Sequence, residues 1–180
     1  MKVAFTFGRM NPMTTGHMNV VNTLERVNAD KRYIYLSHSQ DPKKNPLPYW
    51  LKKTYVNTFI KGKNVEVKDS EAKTPIDALK ELNKDFNEVA IVVGGDRLED
   101  FQNLINKYNG AIDKEGNLIY KFDTIEYINA GIRDEHNSMS ASKVRDFVRE
   151  NDYESFLKAI PTKDPNIARD YWEDIKEYLK

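Results

Sequence analysis

Near its start the chain reads Gly8-Arg9-Met10-Asn11-Pro12-Met13-Thr14-Thr15-Gly16-His17, directly after the apolar run Val3-Ala4-Phe5-Thr6-Phe7. That succession reads as strand, tight turn and helix. The first turn of a helix gathers backbone N–H groups and the positive end of a dipole, which together make a site for phosphate. Thr14 and His17 can add side-chain donors to the same anion, Gly8 and Gly16 allow close backbone approach, and Pro12 stiffens the turn. The spacing Gly-x-x-Asn-Pro-x-Thr-x-Gly-His is far more restrictive than a lone glycine-bearing turn.

Three further stretches carry possible chemistry. In Ser138-Met139-Ser140-Ala141-Ser142-Lys143-Val144-Arg145, hydroxyl residues precede an amphipathic helix. Ser140 or Ser142 could serve as an N-cap, and the free N–H groups with Arg145 one turn on could cradle a polyphosphate tail; the two uses are compatible. Ser37-His38-Ser39-Gln40-Asp41-Pro42-Lys43-Lys44-Asn45-Pro46-Leu47 follows a second strand, and Lys43 or Lys44 could fold over a triphosphate and leave with product. Gly94-Gly95-Asp96-Arg97 closes another strand, where Asp96 or Arg97 could contact a ligand or Asp96 could cap a helix.

The elements that must position these residues alternate along the chain. Strands are expected near 2–7, 33–37, 64–68, 88–93 and 123–128, with helices between them, which argues for an α/β fold with a parallel sheet and crossovers. One face of the first helix carries Val20, Val21, Leu24 and Val27, and a helix near 75–84 carries Ile76, Leu79 and Leu82. Ala90-Ile91-Val92-Val93 has the continuous apolarity of a strand buried on both sides and reads as the central strand. The last third is helical, broken at Pro161 and Pro165. Every candidate stretch thus lies at a strand's carboxyl end or a helix start, where open parallel sheets bind ligands.

Composition narrows the setting. A chain of 180 residues can form one domain that buries roughly 70% of its unfolded surface. Lys+Arg 28 against Asp+Glu 28 leaves no net charge, so the broad footprint of a duplex-binding protein is missing and a small ligand fits better. Cysteine is absent, which removes disulfides, thiolate metal sites and a cysteine nucleophile, and suits a reducing cytoplasm. No secretory or membrane-length apolar run is visible. His17, His38 and His136 show no zinc-ligand spacing, and His136 could reach phosphate or face solvent. Trp50 could stack on a flat acceptor such as nicotinamide or lie buried in a helix.

At Thr14-Thr15-Gly16-His17 and Ser140-Ala141-Ser142-Lys143-Val144-Arg145 the chain resembles the nucleotidyltransferase superfamily marked by a (His/Thr)-x-Gly-His turn and a late Ser-x-Ser/Thr-x-x-Arg motif. Within it, Ser37-x-Ser39 followed by Asn45-Pro46-Leu47 is similar to a segment of archaeal-type nicotinamide mononucleotide adenylyltransferases, although Leu51-Lys52 stands where that group has Glu-Arg and Asn11-Pro12 where it has Gln-Pro. The stretch from Gly94 to Pro161 also resembles uncharacterised nucleotidyltransferase-like proteins of tailed phages.

The resemblance implies a Rossmann-like core over 1–150 and a helical extension over 151–180 packed on the same domain. It implies transfer of a nucleoside monophosphate group from a triphosphate, ATP before CTP, to a small phosphorylated acceptor, first nicotinamide mononucleotide, with pyrophosphate leaving. Alternatives are cytidylyl transfer to a phosphorylated alcohol, a non-catalytic nucleotide binder, and the more remote aminoacyl transfer to RNA. His17, Thr14, Lys43, Lys44 and Arg145 are the catalytic residues so implied; Phe7, Gly8, Arg9, Met10, Asn11, Gly16, Ser140 and Ser142 would hold the nucleotide. Ser37, Ser39, Asn45, Trp50, Gly94, Asp96 and Arg97 would hold the acceptor. Mg2+ would be bridged mainly by the triphosphate, so no protein carboxylate cluster is required. No nucleic-acid or membrane partner is expected, and a homo-oligomer stays open because the C-terminal helices could cover their own core or a partner's.

Overall fold

A computed structural model describes residues 1–131 and 139–180; residues 132–138 and the side chain of Asp96 are outside that description. Five strands form one parallel sheet in the order β3-β2-β1-β4-β5. They are β1 (Lys2–Gly8), β2 (Lys31–Leu36), β3 (Glu66–Val67), β4 (Glu88–Val93) and β5 (Thr124–Asn129). The α-helices among the described residues are α1 (Thr15–Arg26), α2 (Tyr49–Phe59), α3 (Pro75–Leu82), α4 (Leu98–Tyr108), α5 (Ala141–Arg149), α6 (Tyr153–Ala159) and α7 (Pro165–Tyr178). The chain gathers into two compact units that interleave along the sequence: 1–7, 20–35 and 64–132 in the first, 8–19, 36–63 and 133–180 in the second.

The first unit is built on the sheet. The register pairs Val3 with Val89 and Phe5 with Ile91, so the period of two puts these side chains on one face. They join Tyr33, Tyr35 and Val93 in a core covered by Ala78, Leu79 and Leu82 of α3 and Ile105 of α4. The intervening Ala4, Ile34, Ala90 and Val92 are also buried, so both faces of the middle strands are out of water. Thr74 caps α3 by accepting a bond from Asp77 N, and Pro75 fills the first helical position where an N–H is not needed.

Two expectations need correction. The middle of the sheet is β1, with β4 beside it. Continuous apolarity reports burial on two faces, which both interior strands share, and cannot rank them. The expected strand over 64–68 is only Glu66–Val67, an edge pairing of two residues with Tyr33 and Ile34. In the turn after β4, a Cβ on Gly95 would meet Asn129 Oδ1 at 2.9 Å, the end of a side chain that would have to move aside.

The second unit holds α2, α5, α6, α7 and the turn that leaves β1. Aromatic rings form its centre, with Tyr55 4.5 Å and Phe59 5.1 Å from Tyr171, and Phe156 5.1 Å from Trp172. Asp164 caps α7 by accepting from Asn166 N and Ile167 N, and Pro165 takes its first position, so the Pro161–Pro165 break falls where the sequence places it. No described helix is long and apolar enough to cross a membrane.

Leu79 is fully buried in the first core. Leu79→Ala should cost about 2–5 kcal/mol through lost transfer energy and the cavity left behind. Urea unfolding should show it as a lower midpoint at unchanged slope.

Candidate functional site

The opening turn and α1's first residues form a closed hydrogen-bonded structure. Thr14 is fully buried; its hydroxyl donates to Met139 O at 2.6 Å and accepts from Gly16 N at 3.1 Å. Its backbone N–H donates to His17 Nδ1 at 3.0 Å. A nitrogen that accepts an N–H bond carries no proton, so the neutral ring holds its proton on Nε2. The geometry thus makes Nε2 the donor atom of a neutral His17 ring, whereas Thr14 departs from the donor role expected of it. The single hydroxyl proton of Thr14 is committed to Met139, so Thr14 shapes the turn and is not available to phosphate.

Gly16 is required for the same reason. A Cβ there would lie 2.5 Å from the Met139 carbonyl oxygen, a backbone atom that cannot swing aside. The close approach expected at Gly16 is thus made by the chain itself. Ser140 is the N-cap of α5, its Oγ accepting from Lys143 N at 3.1 Å, while Ser142 is exposed in the first turn. Arg145 is half-buried and its Nη1 donates to Asn11 O at 3.0 Å, while its buried Nε has no partner among the described residues. Burial first, then Arg149, holds this guanidinium below its ordinary range; Arg9 adds to the effect, and Asp146 and Asp41 oppose it.

Asn11 is another correction. Its buried side chain donates to Leu47 O at 2.9 Å and accepts from Leu47 N at 2.8 Å, so it fastens the turn to the Asn45-Pro46-Leu47 loop instead of facing a nucleotide. Met10, just before it, is buried with φ 43, a left-handed conformation costly for a residue with a Cβ. Ser37 is likewise used internally: its N–H donates to Gly8 O, and its carbonyl and hydroxyl accept from Lys52 Nζ at 2.7 and 3.3 Å. Ser39 is exposed.

The loop after β2 is a fixed turn. Asp41 Oδ1 accepts from Lys43 N and Lys44 N, its Oδ2 accepts from Asn45 Nδ2, and Arg149 Nη2 donates to Lys43 O at 2.7 Å. These bonds, that from Lys44 first, hold the Asp41 carboxyl at about 2. The backbone of this loop is therefore tied at several points, and movement over a triphosphate would fall to the exposed side chains of Lys43 and Lys44. Asn45 is buried, and its Oδ1 has no partner among the described residues. Trp50, at the start of α2, is 63% exposed, which overturns its burial in a helix. Beside it, the Tyr49 ring stacks on His38 at 4.0 Å.

Lys52 is the residue that sequence reasoning passed over, marking it only as a departure from a family pattern. It is 1% exposed. Burial first, then the charge of Arg9, lowers its ammonium to about 8. Arg9 thus repels both Lys52 and Arg145, and the three cations belong to one unit. Their signal in the sequence is faint, because three separated basic residues look like any solvated charge.

Other expectations fall elsewhere. Phe7 stacks on Tyr35 in the first unit's core at 6.4 Å. Gly94 and Arg97 belong to that unit, and Gly94, not Asp96, flanks the short turn Gly95–Arg97 as its N-cap. His136 and the Asp96 side chain lie outside the described residues. Among the described residues no three metal-ligating side chains converge.

A profile of the cytidylyltransferase-like family matches residues 5–156, which span both motifs. The chain belongs to the cytidylyltransferase-like family. Among solved structures, this cytidylyltransferase-like chain is similar to Plasmodium falciparum nicotinic acid mononucleotide adenylyltransferase complexed with NaAD, at 17% identity, covering 98% of each chain, with TM-score 0.66. It is also similar to a bifunctional NMN adenylyltransferase/ADP ribose pyrophosphatase from Francisella tularensis, at 17% identity over 99% of this chain and 52% of that one, TM-score 0.63. A third likeness is to Thermotoga maritima TmcAL bound with alpha-thio ATP, at 13% identity over 98% and 56%, TM-score 0.58. At these identities the likeness establishes the fold. No curated protein matches by sequence.

Two outcomes follow for this family member. Gly16→Ala should separate the helix start from Met139 and destabilise the fold by about 1–3 kcal/mol, as overpacking does, measured by thermal unfolding. For Lys52, the folded-state pKa near 8 lies below the ordinary 10.5, so between those values the unfolded chain binds more protons and stability rises with pH. The rise should be on the order of 3 kcal/mol if completed. It is cut short above pH ~10, because burial raises Tyr35, Tyr55, Tyr120 and Tyr171, which ionise first in the unfolded chain. Urea midpoints should climb from about pH 8 to 10 in the wild type and stay flat there in Lys52→Met.

Proposed function

We propose that the chain is a nucleotidyltransferase that moves a nucleoside monophosphate group from a triphosphate, ATP first, to a small phosphorylated acceptor, nicotinamide mononucleotide first. The observation that carries this reading is the assembly of Arg9, Lys52 and half-buried Arg145 in the unit that holds His17. Folding that gathers like charges and buries one of them, with no carboxylate among the described residues acting on it, is unfavourable unless an anion completes the set. A triphosphate and a phosphate monoester are such anions. The fold relatives named as adenylyltransferases support the choice of adenylyl transfer.

In the proposed reaction a phosphate oxygen of the acceptor forms a bond to the α-phosphorus, the bond from that phosphorus to the bridging oxygen breaks, and its electron pair leaves with pyrophosphate. An anionic phosphate is already a competent nucleophile, so positioning and charge stabilisation are what the protein must supply. His17 Nε2–H donates to the α-phosphate oxygen as charge accumulates there. Arg145, with the side chains of Lys43 or Lys44 and the Ser142 end of α5, holds the departing tail. Arg9 and Lys52 neutralise the second anion, while the exposed Trp50 ring is offered to the acceptor. Magnesium arriving with the triphosphate would neutralise charge on the leaving group; the cationic Arg9, Lys52 and Arg145 have no lone pair to ligate it, and among the described residues no carboxylate cluster is present to hold it.

The test is pyrophosphate release measured for the four common triphosphates against a panel of small phosphorylated acceptors. ATP with nicotinamide mononucleotide should release pyrophosphate, and His17→Ala should lower that turnover roughly 100-fold or more while nucleotide affinity changes less. Release only from CTP with a phosphorylated alcohol would move the reading to cytidylyl transfer. Nucleotide binding without release from any pair would make the chain a binder.

A further inference from the structure

Tyr171 lies on α7, 154 positions from His17 along the sequence, and no role in the site is assigned to it. It is fully buried, and its hydroxyl donates to Met13 O at 2.9 Å. Met13 O and Thr14 N are the two ends of a single peptide group, held planar by resonance. The other end of that group, Thr14 N–H, donates to His17 Nδ1 at 3.0 Å. The phenol, the peptide and the imidazole therefore form one continuous chain of donors and acceptors: Tyr171 Oη–H to O=C of Met13, then N–H of Thr14 to Nδ1.

We propose that Tyr171 is a positioning residue that sets the tautomer and orientation of His17 through the Met13–Thr14 peptide. A bond into the carbonyl polarises the peptide and strengthens the N–H as a donor, because hydrogen bonds in series reinforce one another where the dielectric is low. It also stops the peptide plane from rotating, since rotation would strip a buried phenol of its acceptor. The strengthened N–H holds Nδ1 as an acceptor, which leaves the proton of the neutral ring on Nε2. The same logic operates where a histidine's working nitrogen is fixed by the bond its other nitrogen makes.

The hydrogen-bond geometry separates the two donors near Nδ1. The Thr14 hydroxyl lies 3.2 Å from Nδ1, but its proton goes to Met139 O at 2.6 Å, so the backbone N–H is the donor to the ring. The phenol stays protonated, as burial raises it well above its ordinary range. The rings of Tyr55, Phe59 and Phe156 hold Tyr171 from its sides, so the hydroxyl can be removed with the packing kept.

The effect on turnover rests on the proposed function; the effect on the ring does not, and the experiment reads both. Proton-detected 15N spectra of the His17 ring, recorded on the full chain at about pH 8 where an ordinary imidazole is neutral, report which nitrogen carries the proton. The wild type should show an unprotonated Nδ1 and a protonated Nε2. Tyr171→Phe should move Nδ1 toward a mixture of tautomers and lower kcat roughly 10-fold, with KM for the triphosphate changed less than about twofold. Tyr55→Phe, which removes the hydroxyl that bonds Asp174 in the same ring cluster, should leave the His17 spectrum unchanged. A protonated Nδ1 in the wild type overturns the proposal without any variant. So does an unchanged spectrum in Tyr171→Phe, or an equal change in Tyr55→Phe. A shifted spectrum in Tyr171→Phe together with no nucleotidyl transfer by the wild type upholds the positioning role and removes the proposed function alone.

Discussion

The carbonyl oxygen of Met139 takes the one hydroxyl proton of Thr14 and fills the space that a side chain on Gly16 would need, and most of the candidate site depends on that contact. It joins residues 125 positions apart. From it follow the acceptor role of Thr14 Oγ1 toward Gly16 N, the freedom of Thr14 N–H to serve His17, and the placement of Ser140 as cap of α5 one residue later. A carbonyl is a fixed group without rotamers, so it sets this geometry more tightly than a side chain could.

Around this contact the chain spends much of its motif on building itself. Asn11 fastens Leu47, Ser37 receives Lys52, Ser140 caps a helix and Gly16 admits Met139. Polar residues in a phosphate-binding turn thus divide into those that hold the backbone in an unusual shape and those that meet the ligand. Met10 in the left-handed region shows that the shape is unusual, and such strain persists only where surrounding bonds over-determine it. In the proposed reaction, His17 and the cations Arg9, Lys52 and Arg145 are the groups that would meet the anion.

The electrostatics of the second unit make the same division. A lysine at 1% exposure, with an arginine as its charged neighbour, is a cost in the unliganded protein. The burial that raises this cost also strengthens the pull on an arriving anion, because both scale inversely with the local dielectric. In an electroneutral chain this local imbalance, rather than any net charge, is what would draw in a phosphate.

The sequence by itself determined the element order, the parallel sheet, the breaks at Pro161 and Pro165, and the two motifs, because each rests on neighbours along the chain: period-two and period-3.6 burial, proline at helix starts, glycine at turns. Residues 5–156 carry enough of that local pattern to place the chain in its family. The identity of the middle strand was not legible, since apolarity reports how many faces are covered and says nothing of which strand lies alongside. Nor were the roles of Thr14, Asn11 and Ser37, whose side chains suit a phosphate as well as they suit Met139, Leu47 and Lys52. Lys52 showed only as a departure from a family pattern and Tyr171 gave no signal, because a lysine and a tyrosine on amphipathic helices become special only through burial and through the partner that long-range packing brings to them. Tertiary structure decided which donors are already spent, and hydrogen-bond capacity is finite: a hydroxyl has one proton to give, and where it goes is settled by the fold.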